Sequence, residues 1–254
     1  MWNIGTLPDI LVDKNGLITF NVASNLLHGS IPPGLVRGKG LQDVDLSRNF
    51  LSGDIPSGLS PTMDNLNLLE NALDGTFPVD LCTVPCELNT LKLNHNLLHG
   101  ELPYSLSNVN RLGTLDISYN SLSGTIPESI LALTRLRDFG LTGNSFSGSL
   151  DRLLTMERVS TLSASLNAFT GPLTFPADMN YDTMYINVSF NFLSGPFTIE
   201  YTEMGTMSYI DVSDNFLTGP IPVNISLVRQ TALVFFPLIF VACDSFLMLN
   251  VYHS

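Results

Sequence analysis

An α/β solenoid, bent as a right-handed horseshoe with a parallel β-sheet on its concave face and irregular or 3-10 segments on its convex face, is predicted by three periodic features of this 254-residue chain. Glycines recur in one register at Gly5, Gly29, Gly53, Gly75, Gly100, Gly124, Gly148, Gly171, Gly195 and Gly219, spaced 22 to 25 residues apart. Four residues before each glycine from Gly29 onward stands an asparagine: Asn25, Asn49, Asn71, Asn96, Asn120, Asn144, Asn167, Asn191 and Asn215. Apolar residues fall three, five and usually eight positions before each asparagine, as Leu41, Val44 and Leu46 do before Asn49.

Each element of this repeat has a physical reason. In LxxLxLxxN the two apolar residues around the short strand point the same way and enter a core, while their neighbours face out. One coil cannot bury that apolar face alone, so coils stack and their strands build a parallel sheet at about 4.8 Å per repeat, roughly 40 Å for nine strands. The asparagine ends each strand where the backbone turns, and its amide can satisfy N–H and C=O groups that would otherwise be buried unpaired. The glycine permits positive φ or close approach where a Cβ would meet the next coil. This is a leucine-rich repeat array. Three segments follow: residues 1–16, a partial first repeat lacking a cap; residues 17–230, nine repeats of about 24 residues; and residues 231–254, a hydrophobic C-terminal segment.

A second signature follows the glycine, in Gly53-Asp54-Ile55-Pro56, Gly100-Glu101-Leu102-Pro103, Gly124-Thr125-Ile126-Pro127 and Gly219-Pro220-Ile221-Pro222. With residues 44–56 (VDLSRNFLSGDIP) and 115–127 (LDISYNSLSGTIP), it resembles the plant-type leucine-rich repeat. That class occurs in ectodomains of plant receptor-like kinases and receptor-like proteins, in polygalacturonase-inhibiting proteins, and in algae. The resemblance spans about residues 5 to 230. It implies a binding scaffold and no particular ligand, since one scaffold hosts many.

Composition agrees. The chain is 44% hydrophobic and 13% charged, with a formal net charge of -12, which repels phosphate backbones and excludes nucleic acid as an expected partner.

The two ends break the pattern. Gly5-Thr6-Leu7-Pro8 is the second half of a repeat, and Met1 stands where an asparagine belongs, so the chain begins inside a coil and reads as a fragment. No charged region followed by an apolar core marks a secretory leader. The repeat register fails after Gln230, and residues 231–251 are the most apolar stretch. They have the length of a membrane span but contain Pro237 and Asp244, and Arg229 precedes them with no Lys or Arg after, against the positive-inside tendency for an outside ectodomain. Membrane association through residues 231–251, an element docked on the last coil, and wrongly translated sequence all stay open.

No nucleophile elbow, phosphate loop or kinase signature occurs, so no catalytic residue and no cofactor is expected. Asp45, Asp116 and Asp211 share one column of the strand surface, where a structural role outweighs acid–base work. Cys82 and Cys86 can close a small disulfide around Pro85, or stay free thiols. With His95 and His99 they mimic a zinc pattern, but the repeat register keeps imidazoles and thiols from converging, so no metal site is expected. Asn187-Val188-Ser189 and Asn224-Ile225-Ser226 are glycosylation sequons, meaningful only in the secretory route.

Aromatic and apolar groups enter the outward positions of the last coils. Tyr185 and Tyr209 occupy one column in adjacent coils, so their rings are expected side by side, with Phe190 and Leu166 across from them, Tyr119 farther back, and Asp138 and Asp214 adding negative charge. This set is the candidate ligand surface. The function expected is a non-catalytic binding module, receptor-like, at the cell surface or outside the cell, taking a peptide, glycan or protein, with a co-receptor as a further partner to look for. The missing leader leaves the cytoplasm open. The alternatives are a soluble inhibitor of a secreted wall-degrading enzyme and a structural or adhesion scaffold.

Overall fold

The computed structural model describes residues 4–8, 16–38, 40–82, 84–156, 158–175, 185–199, 208–220 and 233–235. Ten short parallel strands form the concave sheet, starting with Thr19–Asn21, Asp43–Asp45, Asn65–Asn67, Thr90–Lys92 and Thr114–Asp116. It continues through Asp138–Gly140, Thr161–Ser163, Tyr185–Asn187, Tyr209–Asp211 and Leu233–Phe235. Each strand pairs with the next in strict repeat register, Asp43 with Asn65 and Thr114 with Asp138 for example. The centre of each strand turns inward: Val44, Leu66, Leu91, Leu115, Phe139, Leu162, Ile186 and Ile210 are all buried. A fully buried Leu, Ile or Phe side chain contributes roughly 1.5–3 kcal/mol, and here every coil supplies several.

The asparagines lie at the seam between coils. Asn49 donates through Nδ2 to the carbonyls of Leu46 and Ser47 in its own coil and of Val22 in the coil before, at 3.0 to 3.1 Å. Its Oδ1 accepts the backbone N–H of Leu27, also in the coil before, at 3.0 Å. The same four-way pattern repeats at Asn120, Asn167 and Asn191, and Asn49, Asn96, Asn167 and Asn191 are buried. Each asparagine therefore serves groups that two different coils would leave unpaired.

A second run of parallel strands flanks the first, an addition to what the repeat pattern predicts. It consists of a four-stranded piece from Ile4–Thr6 to Ala72–Leu73 and a six-stranded piece from His99–Glu101 to Phe216–Thr218. The break falls at the longest repeat, where a single bridge joins Thr76 to His99 and the convex loop carries the Cys82–Cys86 disulfide. Among the described residues the convex side holds one short α-helix, Pro33–Arg37, and 3-10 turns at Tyr104–Asn108, Glu128–Ala132 and Leu153–Thr155. Pro32, Pro103 and Pro127 precede the first three of these, removing an N–H that would be unpaired at that point.

Most of the repeat glycines have φ near +80 to +90°. Gly75 does not; its constraint is space, because a Cβ there would sit 2.9 Å from the Cα of Asp54 in the previous coil. Beyond Gln230 the asparagine pattern ends but the sheet does not: Leu233–Phe235 pairs with Tyr209–Asp211, 24 residues earlier. Backbone pairing needs no asparagine. The rest of 231–254, and with it any membrane span there, lies outside the described residues; among those residues no helix is long and apolar enough to cross a membrane.

Candidate functional site

The sheet's outward columns make the concave face. In the column at the start of each strand, Tyr185 and Tyr209 stack face to face, with ring centroids 4.4 Å apart and planes 5° from parallel. Stacking leaves both half-buried rather than fully exposed. The Tyr209 hydroxyl donates to Asp211 Oδ2 at 3.3 Å. Burial first, then the Asp211 carboxylate and the neighbouring Tyr185, push the Tyr209 phenol well above its ordinary value.

Two residues along, the column Asn21, Asp45, Asn67, Asp116, Asn187 and Asp211 forms a series of local turns. Each side-chain oxygen accepts the N–H of the residue two positions on, as Asp45 does from Ser47 at 3.0 Å and Asp116 from Ser118 at 3.1 Å. Asp45, Asn187 and Asp211 also accept the serine hydroxyl of that residue. These carboxylates hold the backbone as it leaves the strand, which accounts for the aspartate column without acid–base chemistry. The first sequon, Asn187, belongs to this series; the second, Asn224, lies outside the described residues.

The residue just before each asparagine adopts a left-handed backbone, with φ between 50 and 57° at Ser24, Arg48, Glu70, His95, Tyr119, Leu166, Phe190 and Asp214. Non-glycine residues populate that region rarely, and here the asparagine bonds on either side hold it. The turn projects this column away from the body, so Tyr119, Leu166 and Phe190 are 46, 47 and 53% exposed. His95 and Tyr119 stack with centroids 4.4 Å apart.

The candidate residues from the sequence stand in two columns. Tyr185 and Tyr209 meet, and Asp138 shares their column two strands before Tyr185, where it accepts the Thr114 hydroxyl at 3.2 Å. Leu166 and Phe190 neighbour each other in the left-handed column with Tyr119 and Asp214. Five residues of chain join Tyr185 to Phe190, so at most about 17 Å separates the two columns. The second column stands in the left-handed turn that follows each strand.

Two further features lie outside what the sequence alone predicts. On the second sheet Phe192 and Phe216 stack at 6.1 Å, and both are more than half exposed. At the N-terminal edge of the concave strands, Gln42, Thr62, Asp64, Glu87, Asn89, Arg111 and Arg135 line a polar cleft of about 430 Å³, within which Arg111 pairs with Glu87. Both have a signal in the sequence, since Phe192 and Phe216, like Arg111 and Arg135, stand one 24-residue period apart. Cys82 and Cys86 are bonded to each other, and among the described residues no group of three or more His, Cys, Asp or Glu is placed to hold a metal.

A family profile described as Leucine Rich Repeat matches residues 40–61 and 111–133. A search of curated proteins finds no match. Among solved structures, the chain is similar to the plant peptide hormone receptor RGFR1 in complex with RGF2, at 26% identity and a TM-score of 0.82 over 91% of this chain and 38% of that one. It is also similar to the Arabidopsis receptor kinase HAESA in complex with the peptide hormone IDA and the co-receptor SERK1, at 26% identity and a TM-score of 0.80 over 91% of this chain and 40% of that one. A plant ice-binding protein matches at 27% identity and a TM-score of 0.74, over 87% of this chain and 71% of that one. In its repeat signature and its solenoid the chain is similar to leucine-rich repeat proteins of the plant type. It spans about two fifths of the length of the two receptors.

Proposed function

We propose that this chain is a non-catalytic, ligand-binding segment of a receptor-like ectodomain, acting outside the cell or at its surface, and that its concave face takes a peptide. The observation that carries the reading is the Tyr185–Tyr209 stack: two half-buried rings, fixed by backbone register, where the outward positions of the strands from Thr19–Asn21 to Thr161–Ser163 are polar or glycine. Rigid aromatic anchors lose little conformational entropy when they meet a partner, which suits them to peptide contact. Support comes from the receptors of like fold, whose described complexes hold peptide hormones and, for HAESA, a co-receptor. A co-receptor partner is part of the same proposal.

The test is selection of peptides from a displayed random library on the immobilised chain, followed by the Tyr185→Ala/Tyr209→Ala variant. Selected peptides are expected to bind that variant at least tenfold more weakly, with the circular dichroism spectrum unchanged. Failure to select any peptide, or equal affinity for the variant, overturns the reading.

A second reading rests on the ice-binding relative, more of whose length this chain covers, and on one row of the second sheet. Ser123, Ser147, Thr170, Ser194 and Thr218 place a small hydroxyl at the same repeat position in five successive coils. Thermal hysteresis and ice-recrystallisation assays of the purified chain decide it: activity lost on Thr170→Tyr supports ice binding, and no activity removes it.

A further inference from the structure

The left-handed column lacks one side chain. It runs His95, Tyr119, Gly143, Leu166, Phe190, and Gly143, with φ of +68°, contributes none. His95 covers one face of the Tyr119 ring at 4.4 Å. The ring leans across the bare position, with Cδ1 2.7 Å from where a Gly143 Cβ would stand. Its second face is turned toward the coil of Leu166, two strand spacings or about 9.6 Å on. A flat group in contact at about 3.5 Å with an aromatic face on one side and an aliphatic side chain on the other takes up about 7 Å of that strand spacing, which leaves room for the lean of the ring.

The neighbouring outward position of the same coil is also a glycine. Gly140 carries the Asp116 carboxylate over it, with Oδ1 2.5 Å from a built Cβ. Coil 138–143 thus contributes no side chain at these two positions, and the Tyr119 ring overlies one and the Asp116 carboxylate the other. The surrounding face is acidic: among the described residues Asp43, Asp45, Glu70, Asp116, Asp138, Asp211 and Asp214 stand against Arg48 and Lys92, and Arg48 pairs with Glu70. Such a face concentrates cations.

We propose that this gap is a subsite for an arginine side chain of the ligand, its guanidinium plane stacked on the free face of Tyr119 with Asp116 alongside. A guanidinium is the group that is planar, permanently charged and given to stacking on aromatic faces; an ammonium is not planar, and a carboxylate meets the wrong sign. The subsite rests on the reading of a peptide ligand on the concave face and names one side chain of that peptide.

The probe is an acetylated, amidated pentapeptide with arginine at its centre and alanine elsewhere, compared with peptides carrying citrulline, lysine or phenylalanine at that place. Citrulline keeps the planar shape and removes the charge. Binding is followed by NMR on the isotope-labelled 254-residue chain through the amides of Gly140 and Gly143. The arginine peptide is expected to shift both amides and to bind at least fivefold more tightly than each of the others, and Tyr119→Leu is expected to remove that preference while leaving the remaining spectrum in place. Equal affinity for arginine and citrulline, tighter binding of phenylalanine, or indifference to Tyr119→Leu overturns the subsite. If library-selected peptides depend on Tyr185 and Tyr209 but ignore Tyr119→Leu, the concave-face reading stands and the subsite falls. If the arginine peptide shifts Gly143 while no peptide depends on the tyrosine pair, the subsite stands without that reading.

Discussion

The backbone N–H of Phe146 donates to the side-chain carbonyl of Asn167, 21 residues later, at 3.0 Å. The same asparagine donates to the carbonyls of Leu141, Ala164 and Ser165, so one buried amide joins two coils through four bonds.

Asn167→Ala removes all four partners at once and leaves buried backbone groups unpaired. A loss of about 2–4 kcal/mol is expected, read from the urea midpoint, against less than about 0.5 kcal/mol for the exposed control Thr170→Ala. Asn167→Asp is expected to destabilise as well, because a carboxylate cannot donate to the three carbonyls. A midpoint equal to that of the control sinks the account.

Tyr209 predicts a pH response. Its phenol is raised in the folded state above the ordinary value of 10.0. The unfolded chain therefore releases this proton first, so the contribution to stability is complete below pH 10 and declines as pH rises through that value toward the higher folded one. Denaturant midpoints measured from about pH 8 to about pH 11 are expected to fall more steeply in the parent than in Tyr209→Phe, which has no proton to lose. Parallel profiles contradict the assignment.

Reducing the Cys82–Cys86 bond opens a loop of only a few residues, so the chain-entropy effect is small. About 2 kcal/mol is the expected upper bound, seen as a lower midpoint with reductant that is absent in Cys82→Ser/Cys86→Ser. A larger drop means the loop supports the coils on either side.

Gly75→Ala is expected to cost about 1–3 kcal/mol through overpacking, since the obstructing Asp54 Cα is backbone and cannot rotate away. Asp54→Ala in the same chain is expected to relieve the clash only in part, because the main chain at position 54 still stands in the way. Full rescue in thermal unfolding contradicts this.

Periodicity makes much of this legible. Once the 24-residue period is set, Tyr185 and Tyr209 must be neighbours, and the inward column from Val44 to Ile210 must be core. Period alone does not give direction. That Leu166 and Phe190 stand in a left-handed turn past the strand end is something no side chain there advertises; only Gly143 hints at it. The second sheet is hard to see in the sequence because its residues, such as Ser121–Thr125, mix hydroxyls and glycine rather than strong strand formers. The strand Leu233–Phe235 is masked by the loss of the asparagine that marks the nine coils before it.

The asparagine seam also sets an order in time. Because each amide completes the coil before it, a coil leaving the ribosome stays unfinished until about 24 further residues have followed. At roughly 5–20 residues per second, that is a wait of about one to five seconds per coil. Throughout synthesis the nascent solenoid thus carries one open coil at its growing end, its peptide N–H groups still bonded to water, and closure travels toward the C-terminus as a single moving front.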